Sequence, residues 1–337
     1  MTRVTVLYND DSRLAHGSPE DAIAVQAVIE CAKAVASSLV ERGYDVELEG
    51  LRGTPRDALR VLEGLRTDVV FNLVEALGGD SRLEQAAAWS YELCGLRYTG
   101  SGPRAMALCM EKPLTKALLT ARGLPVPRGA TFERGDEPVG ALRFPLVVKP
   151  SREDASHGIS SDSLVRDEPA LRRQARHVIE TYAQAALVEE YIEAREINVA
   201  LLHGPAGLEL LPLSEIDYSG FGAGEARLVT YAGKWIESSR DWALTQVIPA
   251  RALQPAQRER IEHVARATFE ALGLCDYGRV DLRLDTAGEP YVIDVNPNPD
   301  ISPGAGFQLA AARAGISHAD IVQRIVESAL GRSRASA

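Results

Sequence analysis

The stretch 278–298, GRVDLRLDTAGEPYVIDVNPN, puts three oxygen ligands and an arginine where they can meet. Side chains two apart in a strand share a face. Arg279, Asp281 and Arg283 therefore stand opposite Val280, Leu282 and Leu284. A turn around 286–289, with Gly288 supplying backbone angles that other residues resist, returns the chain antiparallel. That closure predicts Asp281 beside Asp294 and Arg279 beside Asn296. Unbroken alternation predicts Val292, Asp294 and Asn296 on one face of the return strand, and Tyr291, Ile293 and Val295 on the other. Two carboxylates directly across a ladder repel each other. A hard divalent cation removes the conflict, because Mg²⁺ binds through one or two carboxylates plus substrate phosphate oxygens. A solvated polar face at an antiparallel edge is the plainer alternative. The rigid Asn-Pro-Asn-Pro run at 296–299 weighs against it by stopping the strand where the ligands gather. The chemistry expected of this face is that of a magnesium–nucleotide site.

Two further segments offer groups for a nucleotide. In 144–159, FPLVVKPSREDASHGI, an apolar strand delivers Lys149, and a small polar loop follows it. Backbone N–H groups of such a loop, with the Ser156 hydroxyl, can cradle phosphate oxygens while the lysine supplies charge. The GxxxxGK[ST] spacing of a Walker A loop is absent, and alone the segment reads equally well as a surface turn. Lys112 opens a helix, where a cation opposes the helix dipole; a nearby phosphate accounts for it, as does simple exposure. In 187–199, LVEEYIEAREINV, two short strands flank 193–195 and carry Glu189, Glu190 and Glu196. A strand–turn edge with backbone groups and a carboxylate suits an adenine amino group and ribose hydroxyls. By itself this segment is better read as an exposed charged turn.

These groups need a scaffold of alternating strands and helices. Strands are expected at 4–8, 46–48 and 68–72, separated by helices over about 18–42 and 57–65 and followed by one over 84–93. This βαβ series makes a parallel sheet. Ser18-Pro19-Glu20-Asp21 has the look of a helix start, and Gly43 ends that helix. A boundary falls near Thr99-Gly100-Ser101-Gly102-Pro103. Helices over 112–122, 168–182, 255–272 and 318–330 and strands at 144–149 and 187–191 follow, with 217–224 as a mobile loop. Length sets the scale: 337 residues are long for one core and suggest two or three domains. A hydrophobic fraction of 45% with 25% charged residues is ordinary for a soluble globular protein. The net charge of −10 argues against nucleic acid, whose binding needs Lys and Arg on phosphates. Cys31, Cys94, Cys109 and Cys275 lie too far apart in sequence for a zinc motif or disulfide framework. No apolar run reaches membrane-spanning length and the chain enters a strand at once, so a cytoplasmic enzyme is expected.

Taken in order, these segments resemble the ATP-grasp superfamily, specifically D-alanine–D-alanine ligase and its relatives. The resemblance is carried by DVVFNLVEALGGDSRLEQ, YTGSGPRAMALCMEKPLTKALL, FPLVVKPSREDASHGIS, LVEEYIEAREINVALL, TYAGKWIESSRDW and the 278–298 hairpin. It implies an α/β (α+β ATP-grasp) fold of three domains, here 1–103, 104–189 and 190–337, the first built on a parallel sheet. It implies that ATP lies between the second and third, with Lys112 and Lys149 on phosphates and Ser156 in the phosphate loop. Glu189, Tyr191 and Ile192 would hold adenine, Glu196 the ribose, and Lys234 the γ-phosphate. Asp281, Asp294 and Asn296 would hold two Mg²⁺ ions, for which Mn²⁺ can substitute, and Arg279 would stabilise an oxyanion. Small-molecule carboxylate and amine substrates, amino acids above all, are implied, and a homodimer is expected.

The departures bear on substrate. Where the cell-wall ligases carry an HG…GEDG stretch, this chain reads Glu75-Ala76…Gly79-Asp80-Ser81, and their N-terminal GG-x-S-x-E motif is missing. Their lid is closed by a Ser–Tyr–Glu hydrogen-bond set; here Ala155 and Trp235 stand at the serine and tyrosine positions, which predicts loss of that set. Asp300 and the 303–306 stretch replace the glycine and serine of the acceptor end. Glu75 and Asp300 are therefore candidate substrate contacts, and the expected product is an amide other than D-alanyl-D-alanine. A divergent D-alanine ligase, a phosphotransferase or ligase with a non-amine acceptor, and a non-catalytic ATP-binding switch are the alternatives.

Overall fold

The computed structural model describes residues 1–10 and 23–332. The helix start expected at 18–21 lies outside the described residues. Three sheets follow one another along the chain. The first holds β1 (Arg3–Asn9), β2 (Asp45–Leu51) and β3 (Val69–Leu73), all parallel in the order β2-β1-β3. Its helices are α1 (Ile23–Glu41), α2 (Pro55–Gly64), α3 (Glu84–Leu93) and α4 (Pro103–Met110). All five residues of β3 are buried, as expected of a parallel strand covered on both sides. One face packs Leu7 and Val70 against Leu62, Tyr91 and Met106. The other packs Val4, Val6 and Phe71 against Val35 and Leu39 of α1 and against Ile321 and Ile325 from near the C-terminus.

After α5 (Lys112–Ala121), the second sheet is antiparallel, in the order β4-β7-β5-β6. Its strands are β4 (Gly129–Phe132), β5 (Leu146–Pro150), β6 (Leu164–Val165) and β7 (Ala186–Glu190). Helix α6 (Glu168–Tyr182) covers it, started by the Asp167 carboxylate accepting from Ala170 N–H. The third sheet holds β8 (Glu196–Gly204), β9 (Gly207–Leu210), β10 (Ser214–Asp217), β11 (Gln246–Pro249), β12 (Tyr277–Leu284) and β13 (Pro290–Asn296). Between its strands run α7 (Tyr231–Trp235), α8 (Arg240–Leu244) and α9 (Pro255–Leu272), and the chain ends in α10 (Gly306–Arg313) and α11 (His318–Gly331). Val280, Leu282 and Leu284 of β12 pack on Ile261, Val264 and Phe269 of α9. That buried face leaves Arg279, Asp281 and Arg283 facing away from the core.

The β12–β13 register matches expectation at its business end: Asp281 faces Asp294 and Arg279 faces Asn296. The expected alternation of β13 does not survive. Asp281 pairs with Asp294 but Leu282 pairs with Val292, so Ile293 is one residue too many, a β-bulge. The bulge lets Val292 join Val295 in the core, both essentially inaccessible, where strict alternation put them on opposite faces. Burying both valines outweighs the lost ladder pairing. No helix among the described residues is long and apolar enough to cross a membrane.

Candidate functional site

A cleft of about 800 Å³ separates the second and third sheets. Lys112, Lys149, Ser156, Glu189, Tyr191, Ile192, Glu196, Lys234, Arg279, Asp281, Asp294, Asn296 and Asp300 all line it. Glu75 lies apart, in a smaller cavity of about 100 Å³ that shares Asp300, Lys234 and Asn296 with the cleft.

The acids of the cleft are held by cations. Asp281 accepts from two guanidinium nitrogens of Arg279 at 2.8 Å each and from the Asn198 amide at 2.8 Å. Asp294 takes Lys112 Nζ at 2.8 Å, and Asp154 takes the same nitrogen at 3.1 Å. Burial alone would raise the Asp294 pKa, but Lys112 and Lys149 hold it well below the carboxylate range. Burial likewise works against the Lys112 charge, and Asp294 and Asp154 overcome it, raising its pKa. The metal candidates thus comprise two opposed carboxylates and an amide, hard oxygen donors of the kind Mg²⁺ takes. No group of three His, Cys, Asp or Glu forms a metal cage among the described residues. The donor set suits an ion that brings phosphate oxygens with it.

The bulge has a second consequence. It turns backbone carbonyls of Val292 and Ile293 toward α5 and β5, where Lys116 Nζ donates to both at 2.7 and 3.0 Å and Lys149 Nζ donates to Ile293 at 3.1 Å. The same two lysines grip Glu189 at 2.9 Å each. Burial opposes the Glu189 charge, yet the two lysines keep its pKa low, while burial pulls Lys116 down to about 8. The Glu189 carboxylate is therefore committed to two lysines and not turned to a base. Glu196 is also engaged, accepting from Tyr218 Oη at 2.7 Å and from Arg283 at 3.3 Å. Arg283 in turn stacks on the Tyr191 ring, 4.5 Å from its centroid. Sequence reasoning missed Lys116 and the role of Arg283. Both signals were present: Lys116 is four residues beyond Lys112 on one helix face, and Arg283 alternates with Asp281.

The loop after β5 carries Ala155 and Ser156 at φ 54° and 63°, a left-handed pair that costs on the order of 1 kcal/mol or more per residue. Helix α7 docks onto it. The Trp235 indole Nε1–H donates to the Ala155 carbonyl at 2.8 Å, and Tyr231 N–H donates to Ile159 O at 2.9 Å. The lid hydrogen bond expected to be lost at Ala155 and Trp235 is thus replaced: the indole reaches the backbone, so the residue at 155 needs no hydroxyl. Lys234 lies over the Trp235 ring at 5.0 Å. Burial and the neighbouring Arg279 lower its pKa, against Asp300 and Glu75.

The smaller cavity is acidic. Glu75, at the end of β3, has its pKa raised to about 7 by burial and by Asp300. Glu84, the first residue of α3, is 7% exposed and raised well above the usual range by burial, Asp154 and Glu75. Burial pushes the Cys31 thiol at the cavity wall up to about 12, so it stays protonated and unreactive.

Residues 118–327 match the family model described as D-ala D-ala ligase C-terminus. A protein of Sinorhizobium fredii named uncharacterized protein y4sG is 36% identical over 307 residues, spanning 88% of this chain and 87% of that one. A D-alanine–D-alanine ligase of Halorhodospira halophila is 33% identical over 300 residues, spanning 88% of this chain and 89% of that one. Among solved structures, a Bacillus anthracis D-alanine–D-alanine ligase complexed with ATP superposes with a TM-score of 0.76 at 23% identity, covering 98% of this chain and 97% of that one.

Proposed function

This chain belongs to the D-alanine–D-alanine ligase family of ATP-grasp, ADP-forming carboxylate–amine ligases, and we propose that it forms an amide other than D-alanyl-D-alanine through an acyl phosphate. The observation that carries the ATP chemistry is Lys112 on Asp294 and Arg279 on Asp281, an opposed carboxylate pair in a cleft that Lys149 and Lys234 also line.

ATP supplies the γ-phosphoryl group to the substrate carboxylate, giving ADP and an acyl phosphate. A neutral amine then adds to the acyl carbon, the C–O bond to phosphate breaks, and the surplus amine proton passes to solvent. No side-chain nucleophile is needed; positioning and positive charge do the work. Lys112 and Lys149 meet the phosphates by exchanging their present carboxylate partners for phosphate oxygens. Arg279 faces the tetrahedral oxygen, a contribution of about 3 kcal/mol in comparable oxyanion sites. Two Mg²⁺ ions, replaceable by Mn²⁺, would be held by Asp281, Asp294 and Asn296 and would neutralise phosphate charge. Ser156 and its neighbours cover the phosphates, Lys234 stands over the γ-phosphate, and the Trp235–Ala155 contact excludes water that would hydrolyse the acyl phosphate. Tyr191, Ile192 and the Glu189 segment frame the base, with Glu196 toward the ribose. Glu75 and Asp300 address the substrate ammonium. Units 1–103, 104–189 and 190–337 are the parts that close on the ligands, in a cytoplasmic homodimer. Trp89 and Leu93 support the dimer, because they lie one turn apart on α3 and are 54% and 84% exposed.

The deciding experiment follows ADP, AMP and amide product over pairs of amino acids and amines, with mass spectrometry of the product. ADP in step with a new amide is expected, and Asp294→Asn should lower kcat by about a hundredfold or more while the protein stays folded. AMP formation, or full activity in Asp294→Asn, overturns the reading.

A further inference from the structure

Among the described residues, the cavity beside the cleft is lined by more carboxyl side chains than basic ones. Several of its acids have partners: Glu153 accepts from Gln184 at 2.9 Å and Ser81 at 3.0 Å, Asp154 pairs with Lys112, and Asp80 pairs with Arg82. Glu75, Glu84 and Asp300 have no cation within ion-pair distance among the described residues. The Asp300 carboxylate accepts from Ser302 N–H at 2.8 Å. Glu84, 7% exposed and lining the cavity, receives a single long hydrogen bond of 3.5 Å from Asn298 among the described residues. Lys234 is the lysine that borders this space, and it also borders the cleft. Among the described residues, Glu75, Glu84 and Asp300 share this space with Lys234 and His157 and form no ion pair with either.

We propose that this cavity takes the charged arm of a substrate carrying two ammonium groups, a dibasic amino acid or a short diamine, and that the enzyme selects for such dications. The inference rests on the ligase reading and names its substrate class. An ammonium brings three donors, enough to satisfy Glu84 and Glu75 together. In the empty cavity, burial and mutual repulsion raise the pKa of both groups and so favour their neutral forms, and a bound ammonium opposes that shift. A second substrate carboxylate entering the same space meets more acidic side chains than basic ones among the described residues, and is disfavoured. Size agrees: about 100 Å³ has room for roughly three water-sized groups, an ammonium with a short methylene stem. The reacting end then stays at the mouth, where Lys234, Asn296 and Asp300 line both spaces.

The test uses the full chain with Mg–ATP and pairs matched in length: ornithine against norleucine, 2,3-diaminopropionate against 2-aminobutyrate, in both chiralities. A second arm offers ethylenediamine or putrescine as acceptor with alanine as donor, which separates amino-acid from diamine substrates. The dication should exceed its matched monocation at least tenfold in kcat/KM for ADP release with amide formed. Glu84→Gln and Glu75→Gln should each narrow that ratio at least fivefold, through KM. Equal or better kcat/KM for the monocations overturns the dication inference and leaves the ligase reading standing. If no pair gives an amide, the ligase reading fails. Calorimetric titration with a non-hydrolysable ATP analogue then decides the inference: at least tenfold tighter binding of the dication upholds it, and equal binding overturns it.

Discussion

Replacing Glu75 by Gln should make the ligand-free protein more stable, and more so as pH rises. The Glu75 carboxyl sits at the end of β3 facing Asp300, Asp154, Lys234 and His157, with Glu84 across the same cavity. Burial and Asp300 lift its pKa from the ordinary 4.5 to about 7. Its folded-state pKa lies above the unfolded value, so between those values the native state binds the extra proton. Stability therefore falls as pH rises through this window, and the full loss is present above it. Relative to a glutamine that never ionises, the penalty is about 1 kcal/mol at pH 5.5 and about 3 kcal/mol at pH 8. Between these two pH values the advantage of the variant should thus grow by about 2 kcal/mol. Some of that growth is shared with Glu84, because removing one charge eases the other.

Urea unfolding of wild type and Glu75→Gln at pH 5.5 and 8, without nucleotide, reads this difference directly. In a thermal scan of a chain this long, 2 kcal/mol corresponds to about 3 °C. If Glu75 addresses the substrate ammonium as proposed, the same variant should also bind the amine substrate less well. A pH-independent difference, or a variant less stable than wild type at pH 8, refutes the account of Glu75 as a carboxyl held against its charge.

Lys116→Met leaves the Val292 and Ile293 carbonyls without a donor they now share, so it should destabilise by about 1–3 kcal/mol and lower kcat by disturbing the bulge before Asp294; denaturant melts with kinetics check both. Trp235→Phe removes one neutral hydrogen bond to Ala155, worth about 1 kcal/mol, and should raise ATP hydrolysis uncoupled from amide formation about fivefold, measured as the ADP-to-product ratio. Glu189 has a lowered pKa, so it stabilises the fold above the ordinary carboxylate range and loses that contribution as pH falls below about 4.5; Glu189→Gln should flatten this acid limb in urea melts. Trp89→Glu should shift the sedimentation profile from dimer toward monomer with kcat little changed.

Local signals in the sequence were enough to locate many elements. Asp167 with Pro169 starts α6 and Gly273 in the left-handed region ends α9, and both helices have their expected limits. The Asp281–Asp294 register was also legible, because a turn of known length fixes which residues meet. The bulge at Ile293 was not, since alternation cannot reveal a residue that a strand leaves out of register. It is set by two valines that both fit the same core and by lysines arriving from α5 and β5. The same limit applies to Glu189: as one acid of a charged turn it looks available, and only tertiary packing brings Lys116 and Lys149 to it. At Trp235, comparison of side chains alone predicted a lost bond because a backbone carbonyl leaves no mark in a sequence.

The distribution of charge separates the two halves of the site. In the nucleotide cleft, Asp281, Asp294, Glu189 and Glu196 are each matched by Arg279, Lys112, Lys116 with Lys149, or Arg283. A polyphosphate entering there exchanges partners and leaves no lysine or arginine bare, so the empty cleft avoids the several-kcal/mol cost of an unpaired buried ion. Glu75, Glu84 and Asp300 follow a different rule. They crowd together where a neutral wall would be more stable, and raised pKa values at Glu75 and Glu84 are the physical record of that crowding. On the dication proposal, a bound positive charge reverses the sign of that destabilisation. The cleft is thus balanced without ATP, and the cavity would gain stability from the proposed substrate.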